Sequence, residues 1–506
     1  MRRSTVFDRD LGKAYGSSYS FAAAGSSMKE NQLHSADTRV DRVLRGLRPP
    51  IAIKGRPAVR GTLQERMEAL HVPGVSIAII DGRQVGWAGG FGVKEAPWAD
   101  RVTTSTLFQV ASISKPVVAS AALRLVEAGK LSLDEDVNSY LRSWKVPASG
   151  LTAVKKVTLR RILSHSAGLT VQGFAGYRYD EPLPTLQQVL DGEKPANNSA
   201  IRVDTTPGSL TRYSGGGFTV LQQLLIDVSE EPFPSFLKRL VFDPVGMPLS
   251  TYEQPLPKNR LEEAARGHDA EGAVIQGNWH TYPEMAAAGL WTTPTELAKW
   301  VLEISRAWSG QASSLLSTST ARQMLTLRRV PPSPGFSIRF GLGLALQGEG
   351  DSFSFTHNGS NEGFLATFVM YPALGRGAVV MTNADQGGTL FTEVLQSVAA
   401  EYQWPSGTQS ELEVVDLSEE QLDVLVGTYE ALAPPIPNTP ISCEVARDGR
   451  RLFIEMKAYS LKSEAYATSA DSFFTTSGFR IQFTRDSRGR AVSLKIAGLE
   501  LAATTP

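Results

Sequence analysis

A chain of 506 residues, 42% hydrophobic and 20% charged, has enough apolar material for a large core and is long enough for more than one domain. Its 51 Lys and Arg balance 51 Asp and Glu, which excludes the basic excess of a nucleic-acid-binding surface, and no run of about 18 apolar residues predicts a membrane span. Cys443 is the only cysteine, so no intrachain disulfide forms, and the six histidines make no H-E-x-x-H or other close ligand pair, so neither a metal nor a cofactor is expected.

Residues 1–55 are polar and rich in Ser and Arg, which predicts a solvated, partly disordered arm with one short helix near Thr38–Leu47. No apolar segment of signal-peptide length follows Met1-Arg-Arg3, so a cytoplasmic location is the expectation. A catalytic domain is expected over 56–403. It opens with a helix at Leu63–Leu70, then strands at Val75–Ile80 and Val85–Ala88 joined by the turn signal Asp81-Gly82.

Ser112-Ile-Ser-Lys115 follows, at a predicted helix start. Val117–Glu127 holds mostly tolerable or good helix formers, Gly129 supplies a stop, and Pro116 is tolerated only in a first turn. Positions i and i+3 share a helix face, so the Lys115 amine can reach the Ser112 hydroxyl. A serine is a poor nucleophile until a neighbouring base takes its proton. The string alone decides nothing, because Ser26–Lys29 and Ser235–Lys238 match it as well. The first has no helix behind it, and the second reads as an ordinary amphipathic helix.

Helical runs dominate to about residue 305. Strand-like runs return at Phe364–Tyr371 and Gly377–Asn383, and Leu390–Tyr402 reads as a last helix. Strands at both ends with helices between predict an antiparallel sheet closed by the two ends, plus a helical lobe. Residues 404–416 read as a linker. The segment 417–506 carries short strands at Ile441–Val445, Leu452–Met456, Phe473–Thr476, Arg480–Thr484 and Val492–Ile496, the pattern of a small antiparallel barrel.

Two further strings complete the set: Tyr213-Ser-Gly215 and His357-Asn-Gly359. With Leu159–Leu169, Asp243–Met247 and Ala287–Pro294, they make residues from about 60 to 400 resemble the serine β-lactamase and penicillin-binding protein superfamily. The likeness is to class C β-lactamases and their esterase and D-peptidase relatives. It implies an α/β/α sandwich of β-lactamase/transpeptidase type, with a lipocalin-like barrel appended. It also implies that Ser112 is acylated, that Lys115 and Tyr213 share the general-base work, and that the backbone N–H groups of Ser112 and Ser360 form an oxyanion hole. His357, Gly359 and Gly215 would line the substrate side, and His165 would be structural.

Gly215 departs from the family pattern, which usually has an asparagine that holds the side-chain amide of a β-lactam. The resemblance therefore implies an esterase or amidase on small acyl substrates, ahead of a D-amino-acid peptidase, with a β-lactamase third. An acyltransferase or cyclase, or a non-catalytic binder of acylating ligands, stays open, as does the oligomeric state. Two cations, Lys115 and a protonated His357, are expected to lower the Tyr213 pKa, and His357 to set a rate-controlling ionisation near ~6.5.

Overall fold

The apolar run at Val75–Ile80 becomes an interior strand because both of its faces are covered. The computed structural model describes residues 38–504 apart from 58–59, 98–99, 334–337, 433–440 and 457–460. The first part of the predicted arm, with Ser26–Lys29, lies outside the described residues.

Strands Gly74–Asp81 and Gln84–Gly92 form a hairpin in which Gly82 and Arg83 both take positive φ, the backbone that matches strand twist in a two-residue turn. Arg376–Thr382 pairs with the free side of Gly74–Asp81 and continues through Phe364–Tyr371 and Ser354–Asn361 to Ala345–Gln347. The six-stranded sheet is antiparallel throughout and is closed by segments from both ends of the catalytic region.

Successive side chains point to opposite faces. Val75, Ile77, Ile79 and Val380 pack under Val394 and Val398 of helix Gly387–Glu401, joined by Val40 and Val43 of helix Thr38–Arg45. Ala78, Ile80, Val379 and Met381 face the helical lobe, with Trp300 and Phe368 in the same core. These are the three layers of an α/β/α sandwich.

The end of the segment read as an arm pairs with part of the segment read as a linker. Ile51–Ile53 pairs in parallel with Ser410–Leu412, and the Ile51 N–H donates to the Thr476 carbonyl at 3.2 Å. Three-residue strands that pair across most of the chain leave no local pattern to read. Beyond them lies a closed barrel of eight antiparallel strands, whose first, Gly427–Ala431, pairs with its last, Leu499–Ala503. The sequence reading missed those two and Leu461–Ala467, where Lys462, Ser463 and Glu464 break the apolar signal. Leu452, Ile454, Phe473, Phe483, Leu494 and Leu501 fill the interior, and burial there pushes the Cys443 thiol up to about 12. Among the described residues, no helix is long and apolar enough to cross a membrane.

Candidate active site

The helix predicted to begin near Ser112 starts at Ser114, after a single 3₁₀ turn over Ala111–Ile113. Ala111 sits at φ 47°, a strained backbone for a residue with a Cβ. Pro116 falls within the first helical turn, as its missing N–H requires. Lys115 is only 2% exposed, and its Nζ donates to Ser112 Oγ at 2.9 Å and to the Ala287 carbonyl at 2.7 Å. Removal from water disfavours the ammonium and lowers the Lys115 pKa to about 7.

Tyr213 stands two residues ahead of helix Gly215–Ser229, whose N-cap Ser214 accepts the Gly217 N–H at 2.9 Å through Oγ. The Ser214 N–H donates to His165 Nδ1 at 3.1 Å, and the His165 ring stacks on Tyr213 with centroids 4.3 Å apart. Phe340 meets the same His165 ring edge-on, with centroids 4.6 Å apart. Lys115 Nζ lies 4.9 Å from the Tyr213 ring centroid, and the His357 ring lies 6.2 Å from it. The Tyr213 hydroxyl is buried, has no partner at full hydrogen-bonding geometry, and is influenced by the Ser112 side chain.

The expected electrostatics are corrected by this burial. Desolvation drives the Tyr213 phenol well above its usual range, with Ser112 opposing it only in part. His357 is pushed down to about 3, first by burial and then by the Lys115 charge, against the pull of the Asn358 carbonyl. It is therefore neutral and supplies no ionisation near neutrality. Its Nδ1 lies 2.6 Å from the Asn358 carbonyl, so Nδ1 carries the proton and donates there, which leaves the buried Nε2 as an unpartnered acceptor.

Gly359 is dictated by close approach. A Cβ there would lie 2.0 Å from the Val110 carbonyl oxygen, so only glycine lets strand Ser354–Asn361 press against the turn that carries Ser112. Ser360 is held alongside that turn as a result.

The sequence reading missed a pair of buried amides. Asn361 Nδ2 donates to Gln109 Oε1 at 2.6 Å and to the Ala288 carbonyl at 3.1 Å, and Gln109 Nε2 donates to the His280 carbonyl at 2.8 Å. This clamp ties the residue after Ser360 to the residue after Ala287, the Lys115 anchor. Asn361→Ala is expected to lower kcat on the order of tenfold with KM little changed, because geometry is loosened while binding contacts remain. Steady-state kinetics beside a thermal melt check it; equal changes in KM and kcat would count against a positioning role.

Glu284 was also missed. It is fully buried just before helix Met285–Ala288, neither carboxylate oxygen has a partner at full hydrogen-bonding geometry, and burial, opposed only in part by its own backbone N–H and the nearby Tyr177 hydroxyl, pushes its pKa from 4.5 up to about 8. The folded chain keeps a proton that the unfolded chain releases. The stability this lends is full below about 4.5 and is lost as pH rises through about 8. Glu284→Gln is expected to flatten that decline, so the variant melts higher than wild type at about pH 9 and gains nothing at about pH 4. Parallel melting curves across that range provide the check.

Ser235 and Lys238 are exposed, and Lys238 pairs with Asp243, consistent with an ordinary surface helix. No group of three or more His, Cys, Asp or Glu able to hold a metal occurs among the described residues.

Residues 59–402 match the family described as Beta-lactamase. The chain is 27% identical over 366 residues to unguisins hydrolase ungD of Aspergillus violaceofuscus, covering 64% of this chain and 61% of that protein, so less than two thirds of that relative's length is matched. It is 23% identical over 318 residues to the D-alanyl-D-alanine-carboxypeptidase/endopeptidase AmpH of Escherichia coli, covering 61% of this chain and 78% of that protein. The fold is shared with the octameric penicillin-binding protein homologue of Pyrococcus abyssi at a TM-score of 0.59 and 22% identity, over 87% of this chain and 98% of that one. A match that spans the sheet, the helical lobe and all three motif segments settles the family: the chain belongs to the Beta-lactamase family.

Proposed function

We propose that the chain is a serine hydrolase that cleaves ester or amide bonds of small acyl substrates through an acyl-serine intermediate on Ser112. The observation that carries this reading is the buried Lys115 amine at 2.9 Å from Ser112 Oγ. With its pKa at about 7, roughly half of the molecules hold Lys115 as a free amine near neutral pH.

That amine takes the Oγ proton as Oγ attacks the substrate carbonyl. The Ser112 and Ser360 N–H groups receive the developing oxyanion. Collapse of the tetrahedral adduct breaks the ester or amide bond, and the leaving group departs with a proton passed from Lys115 through Tyr213. Tyr213 keeps its own proton at rest, so its role is relay and acid rather than resident base. Water then repeats the sequence on the acyl-serine and releases the acid.

A second reading, a D-amino-acid peptidase, draws on the likeness to AmpH, a carboxypeptidase by name. Single-turnover mass spectrometry with p-nitrophenyl esters and D- and L-amino-acid anilides tests both. An acyl adduct that forms and decays is expected; an adduct that never releases would identify a binder instead.

A further inference from the structure

Lys115 is held by a backbone carbonyl, so whatever fixes that carbonyl also fixes the amine. The carbonyl belongs to Ala287, on the four-residue helix Met285–Ala288, and accepts from Lys115 Nζ at 2.7 Å. One turn of helix is not stable by itself, because too few hydrogen bonds follow to repay its nucleation. Its methionine and three alanines carry no polar side chain that could hold it in place. Its position therefore comes from its neighbours.

Two glutamines bracket it. Gln222 Nε2 donates to the Pro283 carbonyl at 3.0 Å, and Gln222 Oε1 accepts the Ala286 N–H at 3.0 Å. Gln254 Nε2 donates to the Gly289 carbonyl at 2.9 Å, and Gln254 Oε1 accepts the Tyr282 N–H at 3.1 Å. The two differ in their access to water. Gln254 is half-exposed, so water can take over bonds that it loses. Gln222 is only 2% exposed and Ala286 is fully buried, so loss of the Gln222 amide leaves the Ala286 N–H unpaired, which is costly.

Gln222 also comes from the element that follows Tyr213. It lies two turns past Gly215 on helix Gly215–Ser229. One side-chain amide thus joins the helix behind Tyr213 to the turn that anchors Lys115.

We infer that Gln222 is a positioning residue for the base: its side-chain amide holds the Ala287 carbonyl at Lys115 and keeps that anchor in register with Tyr213. The inference rests on the acyl-serine reading above and goes beyond it, to a residue whose bonds reach the amine only through the Ala287 carbonyl. Without the amide the turn is freed, the carbonyl withdraws and water reaches Lys115. Burial is what lowers the Lys115 pKa, so water there raises it.

The test is p-nitrophenyl acetate hydrolysis across pH in wild type and Gln222→Met, which keeps the length of the side chain and removes both bonds. In Gln222→Met, kcat is expected to fall on the order of tenfold with KM changed less than about twofold. The acid limb of the kcat profile is expected to move up from about 7 by on the order of one unit. A merely structural role would lower the active fraction without moving that limb. A limb that fails to rise in a folded variant, or a KM change that accounts for the whole loss, would overturn the assignment and leave the acyl-serine reading intact. If Gln222→Met does not fold, Gln222→Asn decides by the same two readouts, since its amide is one methylene too short to make both bonds. Wild type without Ser112-dependent nitrophenol release would instead bring down the acyl-serine reading, and this inference with it.

Discussion

Ser112→Ala is expected to abolish turnover and covalent labelling while leaving the fold in place. The change removes one hydroxyl from a half-buried residue at a helix entry, so little packing is lost. Lys115 keeps its bond to the Ala287 carbonyl, so the amine remains anchored. The expected chemical loss is large because, in the proposed mechanism, every later step needs the acyl-serine. Removing the nucleophile of a serine hydrolase triad costs on the order of 10⁶ in kcat, and a comparable loss is expected here. The check is ester turnover with intact-mass measurement after an acylating probe. A variant that still gains the acyl mass and still releases it would place the nucleophile elsewhere.

Lys115→Met carries the second largest effect. Methionine preserves much of the apolar stem in a site where almost no surface is exposed, so the variant tests the amine rather than the volume. A loss of about 10²–10⁴ in kcat/KM is expected for removal of a positioned general base.

The pH profile identifies the base. In the proposed mechanism Lys115 works as the free amine, so wild-type activity is expected to fall as pH drops through about 7 and the amine gains its proton. Because His357 is held down at about 3, this limb is expected to persist in His357→Gln and to vanish in Lys115→Met. A limb near neutrality that disappears with His357 and survives loss of Lys115 would reverse the assignment.

How much of this was legible in the residues varies with the range of the interaction. Ser112 and Lys115 could be paired from sequence because three residues of helix bring them together whatever else the chain does. The sheet was legible at Val75–Ile80 and Phe364–Tyr371 because long apolar runs have few alternatives to an interior strand. The pairing of Ile51–Ile53 with Ser410–Leu412 was not, because its partners lie far apart in the chain and each is three residues long. Gln109 and Asn361 carry no motif, and their bond spans 252 positions.

The sequence by itself determined the family, the order of the motif segments, the helical placement of the hydroxyl and amine, and the presence of a second, strand-rich region. Only the tertiary structure decided the protonation states, the amide clamp and the burial of Glu284. The reason is physical: spacing along a helix or strand is a local property of the backbone, whereas the cost of a charge depends on how much water distant segments exclude. That exclusion holds Lys115 near neutrality, keeps His357 uncharged and leaves Tyr213 its proton.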